Sequence, residues 1–131
     1  MTGRAFEAGS PVEYAWAGAF LERYVRARTK LDISSFIELL DPDAVVQPDP
    51  FEGPLAGTNA IRAYLLRAAD EEADVDLTIE RHWVSGSTIL AAFHGSAVSR
   101  RDRSHIREAG FLTAEIRSQR CSRLRIWTVR R

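Results

Sequence analysis

Apolar residues along the chain recur first at helical and then at strand spacing. Tyr14, Ala17, Phe20, Leu21, Tyr24 and Val25 repeat at three and four, which puts them on one buried stripe of a helix running to about Arg28. Its start is read at Ser10-Pro11-Val12-Glu13: Ser10 can cap, Pro11 suits the first helical position, and Glu13 completes a capping box. A shorter helix follows from the cap-like Asp32, with Ile33, Phe36, Ile37 and Leu40 on one face and Pro42 enforcing its end. Ala44-Val45-Val46-Gln47 reads as a short strand. It runs into Pro48-Asp49-Pro50-Phe51-Glu52-Gly53-Pro54, a loop, because three prolines leave too few amide donors for a sheet interior. Gly57-Thr58 opens a third helix with Ile61, Tyr64, Leu65 and Ala68 on one face, and the acidic residues from Asp70 to Asp76 oppose its C-terminal dipole and mark its end.

From Asp76 onward the period drops to two, with strands expected near 76–84, 88–98, 106–117 and 120–130 and turns at 85–87, 100–104 and 117–119. Helices followed by a meander predict an α+β fold in which three N-terminal helices pack on a strongly curved, mainly antiparallel sheet. The concavity between them is the natural pocket.

The chain has 131 residues, 45% of them hydrophobic and 27% charged, which suits one domain spanning 1–131 with the first ten residues flexible. A lone Cys121 allows no internal disulfide, and there is no run of apolar residues long enough for a membrane span, so a cytoplasmic location is expected. Charge is divided unevenly: residues 1–80 carry 7 basic and 15 acidic side chains, residues 81–131 carry 11 and 3. Acidic helices lying across a basic sheet account for this. Nucleic-acid binding ranks last, because the arginines are spread along strands and do not line one helix.

Several strings resemble the SnoaL-like branch of the nuclear transport factor 2-like superfamily, which includes ketosteroid isomerases, scytalone dehydratases and polyketide cyclases. They are Leu21-Glu22-Arg23-Tyr24-Val25, Asp32-Ile33, Leu39 to Val45, Asp49-Pro50-Phe51, Gly57 to Tyr64, and Trp127. The resemblance implies a cone-shaped α+β barrel. Matched to ketosteroid isomerases, Tyr24 takes the place of a tyrosine that donates to an enolate oxygen, Asp49 that of the aspartate that moves the proton, and Phe111 that of a second acid. His82-Trp83-Val84-Ser85-Gly86 is similar to scytalone dehydratases, where a pocket histidine precedes an aromatic residue, a β-branched residue and a glycine turn. The stretch from Leu21 to Leu40 is similar to SnoaL-like domains appended to some extracytoplasmic-function sigma factors, which are regulatory modules.

The expectation is a cofactor-independent enzyme that isomerises, cyclises or dehydrates a small apolar carbonyl or polyketide-like compound by proton transfer. Asp49 is the candidate base, Tyr24 the polarising donor and His82 a second acid-base group. Trp16, Phe36, Phe51, Tyr64, Trp83, His94, Phe111 and Trp127 are the candidate substrate-binding residues. The alternative is a non-catalytic binding or regulatory module with the same pocket. Each candidate also has a plain structural reading: Asp49 as a turn former, Tyr24 and His94 as core residues with satisfied hydrogen bonds, and His82 with Glu80 as a solvated pair on one strand face. No metal site is expected, because His82, His94 and His105 lack the spacing of one. The apolar side chains of the open sheet face predict a homodimer.

Overall fold

The computed structural model describes residues 11–131. The elements run α1 (Tyr14–Thr29), α2 (Ile33–Glu38), β1 (Leu40–Gln47), β2 (Leu55–Ala56), α3 (Thr58–Glu71), β3 (Glu72–Ser85), β4 (Thr88–Ser99), β5 (His105–Arg117) and β6 (Arg120–Arg130). The proposed cap at Ser10 and the expected flexibility of the first ten residues lie outside the described residues. Pro11 and Val12 are not helical, and α1 begins at Tyr14 with Glu13 at its N-cap making no side-chain cap. Val12 is instead buried and donates its amide to the Gly86 carbonyl, which ties the entry of α1 to the β3–β4 turn. Asp32 caps α2 as expected, accepting the Ser35 amide at 3.1 Å.

The six strands form one open, mixed sheet in the order β2-β1-β6-β5-β4-β3. The four long strands make the antiparallel meander, whereas β1 joins β6 in parallel, with Leu40 opposite Cys121 and Val46 opposite Leu124. The inner face carries Ile89, Ala91, Phe93, Leu112, Ala114, Leu124 and Ile126, on which Ala17, Phe20, Leu21, Tyr24 and Ala27 of α1 and Phe36 of α2 close the core. The two charge-biased halves meet in this fold: Arg117 reaches Asp41 at 3.4 Å and Arg130 reaches Glu72 at 3.0 Å.

Two irregularities break the strict alternation on which the strand faces were read. The β3–β4 register shifts between Ile79 and Arg81. Leu77 and Ile79 therefore point to the core, Glu80 and Arg81 both stay outside, and His82 returns to the helix side. Glu80 and His82 do not share a face, which overturns their reading as one pair. A second shift between Glu115 and Ile116 separates the buried Cys121 from Arg123 and Arg125. Bulges of this kind add strand curvature and re-aim side chains.

Candidate active site

Between the helices and the inner face of the sheet lies a cavity of about 210 Å3. Tyr24 and Arg28 of α1, the 31–36 segment, Pro48 and Asp49, Tyr64 to Glu71 of α3 and residues of all four long strands line it. Phe36, Leu77, Phe93 and Ile126 give it an apolar wall, and a set of charged and hydroxyl groups occupies one side.

Four of the residues singled out in the sequence meet here: Asp49, Tyr24, Phe36 and Tyr64. Tyr24 is 3% exposed, packs its ring against Phe36 with centroids 5.7 Å apart, and accepts a hydrogen bond from Arg28 Nη1 at 3.1 Å. Arginine has only donors, so the tyrosine's own hydrogen points elsewhere. Burial holds the phenol above its ordinary value against the pull of Arg28, so Tyr24 is a neutral donor at physiological pH. Burial likewise raises Tyr64. Asp49 sits at the rim where β1 leaves the sheet. One of its oxygens accepts the Phe51 amide at 2.8 Å in an Asx-type turn, and Asp49 is among the residues that line the cavity.

The remaining candidates lie elsewhere. His82 is on the helix side but outside the cavity, stacked on Tyr14 at 4.0 Å between ring centroids, with Nε2 3.3 Å from the Tyr14 carbonyl oxygen. Trp16 packs against the core and stacks on Phe20. Phe51, in the proline loop, is 95% exposed. Trp83, His94, Phe111 and Trp127 face outward from the sheet: Trp127 is 40% and Phe111 50% exposed and they are register partners, while His94 Nδ1 lies 2.8 Å from Glu80 Oε1. His82 and His94 are thus on opposite faces of the sheet and cannot share a metal. Cys121 is no nucleophile at neutral pH, since burial pushes its thiol up to about 12.

The sequence reading missed four cavity residues. Arg130 of β6 donates to Glu108 Oε2 of β5 at 3.0 Å and pairs with Glu72 Oε2 of β3 at 3.0 Å, so one guanidinium joins two carboxylates. Burial pulls the Arg130 pKa down, but the two glutamates outweigh it and hold the group above its ordinary value. Glu108 stands opposite Gly95 of β4, where a Cβ would come 2.6 Å from the Asp76 carbonyl oxygen. The glycine lets the β3 backbone come close, while Glu108 Oε1 at 3.6 Å from that Cβ position would be in ordinary contact. The fourth residue, Arg28, follows Tyr24 by one helical turn. The signal was present for three of them: Glu108 interrupts the inward row Ile106, Leu112, Ala114, Arg130 continues the row Leu124, Ile126, Thr128, and Arg28 extends the apolar stripe of α1.

A family model for the SnoaL-like domain matches residues 21–123, and the chain belongs to that family. Solved structures share the nuclear transport factor 2-like fold. A Bacillus subtilis protein assigned as an isomerase superposes with a TM-score of 0.79 at 20% identity, covering 88% of each chain. SalBIII, an epoxide hydrolase/cyclase-like enzyme in pyran ring formation of salinomycin, superposes at 0.79 with 12% identity, covering 89% of this chain and 93% of its own. An LEH-like epoxide hydrolase from Mycobacterium tuberculosis gives 0.74 at 15% identity, over 88% of this chain and 84% of its own. A search of curated proteins finds no match. Among the described residues, no helix is long and apolar enough to cross a membrane.

Proposed function

We propose that the protein is a cofactor-independent proton-transfer enzyme that isomerises or cyclises a small carbonyl compound in the helix–sheet cavity. The observation that carries this reading is the pairing of Tyr24 with Arg28 on the wall of a pocket that Asp49 also lines. Asp49 is the base: it keeps one oxygen for the turn and offers the other to an acidic C–H of the ligand. Tyr24 donates to the ligand's carbonyl oxygen as charge develops there, and Arg28 beside it strengthens that donor. The apolar wall excludes water and holds the body of the substrate. The test is α-proton exchange into D2O, followed by NMR over a panel of aryl ketones and 1,3-dicarbonyl compounds. Exchange catalysed by the wild type and lost in Asp49→Asn supports the assignment; its absence from every compound leaves the binding-module alternative.

A second reading rests on Glu72–Arg130–Glu108. Two carboxyl groups on one guanidinium, one ionised to take a proton from water and one protonated to give its proton to the departing oxygen, can divide the work that hydration of an epoxide requires. Incorporation of 18O from labelled water into a diol, lost in Glu108→Gln, would favour it over the first.

The open sheet face supports a homodimer. Trp83, Leu90, Phe111, Trp127 and Val129 are exposed large apolar side chains on this side of the sheet, and a second copy would cover them. Phe111→Glu combined with Trp127→Glu should shift the mass in solution from dimer to monomer by light scattering. A monomeric wild type at micromolar concentration overturns the assignment.

A further inference from the structure

Three guanidinium groups line the cavity, and they are not equivalent. Arg130 is matched by two glutamates, and Arg67 is exposed on α3. Arg28 is half-buried, and its hydrogen bond is to the neutral Tyr24 hydroxyl. Among the described residues, the ion pairs at 4.0 Å or less do not include it. A guanidinium carries five donors in a planar fork suited to a carboxylate. Here one donor goes to Tyr24, and Arg28 is among the residues that line the pocket. Glu108 acts on Arg28 through its field, but its Oε2 is engaged by Arg130 and no carboxylate among the described residues reaches Arg28 as an ion pair. The fork therefore has donors left for an anion carried by a ligand.

The position of Tyr24 narrows the ligand further. Arg28 Nη1 and the Tyr24 hydroxyl oxygen lie 3.1 Å apart, so a guanidinium donor and a hydroxyl donor stand side by side. Two ligand oxygens carried on carbons one or two bonds apart would meet both at once. We propose that the pocket takes a small 2-oxo or 3-oxo carboxylic acid with an apolar body, its carboxylate on Arg28, its keto oxygen on Tyr24 and its body against Phe36, Leu77, Phe93 and Ile126. The fate of the bound acid rests on the proton-transfer reading; its recognition does not.

Titration calorimetry with benzoylformate and its methyl ester separates charge recognition from shape, since the two differ chiefly in the anion. The acid should bind about tenfold more tightly than the ester or better, the scale of a charge-assisted hydrogen bond. Arg28→Met should bring the acid down to the level of the ester, while Arg28→Lys keeps part of the preference. An ester that binds as well as the acid, no binding of either, or an acid preference that survives in Arg28→Met overturns the inference. Should Arg28→Met fail to fold, Arg28→Lys decides the matter: an acid preference that falls supports the inference, and one that is unchanged overturns it. Turnover does not enter this readout. Proton exchange on neutral ketones without acid preference defeats this inference alone, and acid preference without exchange on any compound defeats the proton-transfer reading alone.

Discussion

Gly110→Ala is expected to destabilise the protein by about 3 kcal/mol or more, the upper range for forcing atoms into a filled space, and so to remove a large part of a small domain's net stability. A Cβ at Gly110 would come 2.0 Å from the Trp127 carbonyl oxygen, 2.8 Å from Thr128 Cα and 2.9 Å from the Trp127 carbonyl carbon. All three are backbone atoms of β6, so no rotamer change relieves the clash. The β5–β6 pair must part, and it separates where Glu108 and Arg130 bring their carboxylate and guanidinium together. Gly53→Ala is the control, because nothing lies within 4 Å of its Cβ position. Urea denaturation followed by circular dichroism should show a collapsed midpoint for the first variant and an unchanged one for the second. Equal midpoints would mean that the strands yield more readily than this close approach implies.

Asp49→Asn should lower catalysed α-proton exchange by about a hundredfold to ten-thousandfold, the range for removing a positioned general base. Asparagine keeps an oxygen for the Phe51 amide, so the turn persists and the midpoint of unfolding should stay near that of the wild type. Tyr24→Phe should lose exchange by about a hundredfold, as expected for one donor to a developing oxyanion. The ring contact with Phe36 survives that change, although Arg28 loses its acceptor. His82→Ala should leave the rate within about twofold, because the imidazole lies outside the cavity against Tyr14; its effect belongs to stability, at about 1 kcal/mol. An exchange rate that falls with His82 and not with Asp49 would reverse the roles assigned to them.

Local sequence chemistry placed the helices and long strands well because each signal is self-contained. The Asp32 cap, the Gly57-Thr58 start of α3 and the period-two rows need no knowledge of the rest of the chain. Three things required tertiary context. Val12 gave its amide to Gly86, so the helix start expected at Pro11 was overridden by packing at the β3–β4 turn. Leu55–Ala56 is a strand only because Val45 and Val46 pair with it. The inward or outward sense of β3 and β6 depends on two register shifts that no periodicity reveals. The site was half legible for the same reason. Tyr24 and Asp49 reach the cavity through elements fixed early in the reading, whereas Phe111 took the attention due to Glu108. The match to ketosteroid isomerases put Phe111, in the outward row of β5, in the place of the second acid, and the carboxylate stands three residues earlier, in the inward row.

The parallel pairing of β1 with β6 bears on how the molecule is made. β2 is hydrogen-bonded to the sheet through β1 alone, and β1 through β6 on its other edge. As the polypeptide leaves the ribosome, β1 and β2 therefore have only each other as strand partners until the segment around Cys121 to Arg125 has been synthesised. Until then the greasy undersides of the helices lack their full floor. Such long-range closure is slow and leaves an intermediate open to chaperone capture, so the last strand synthesised is the one that seals the structure.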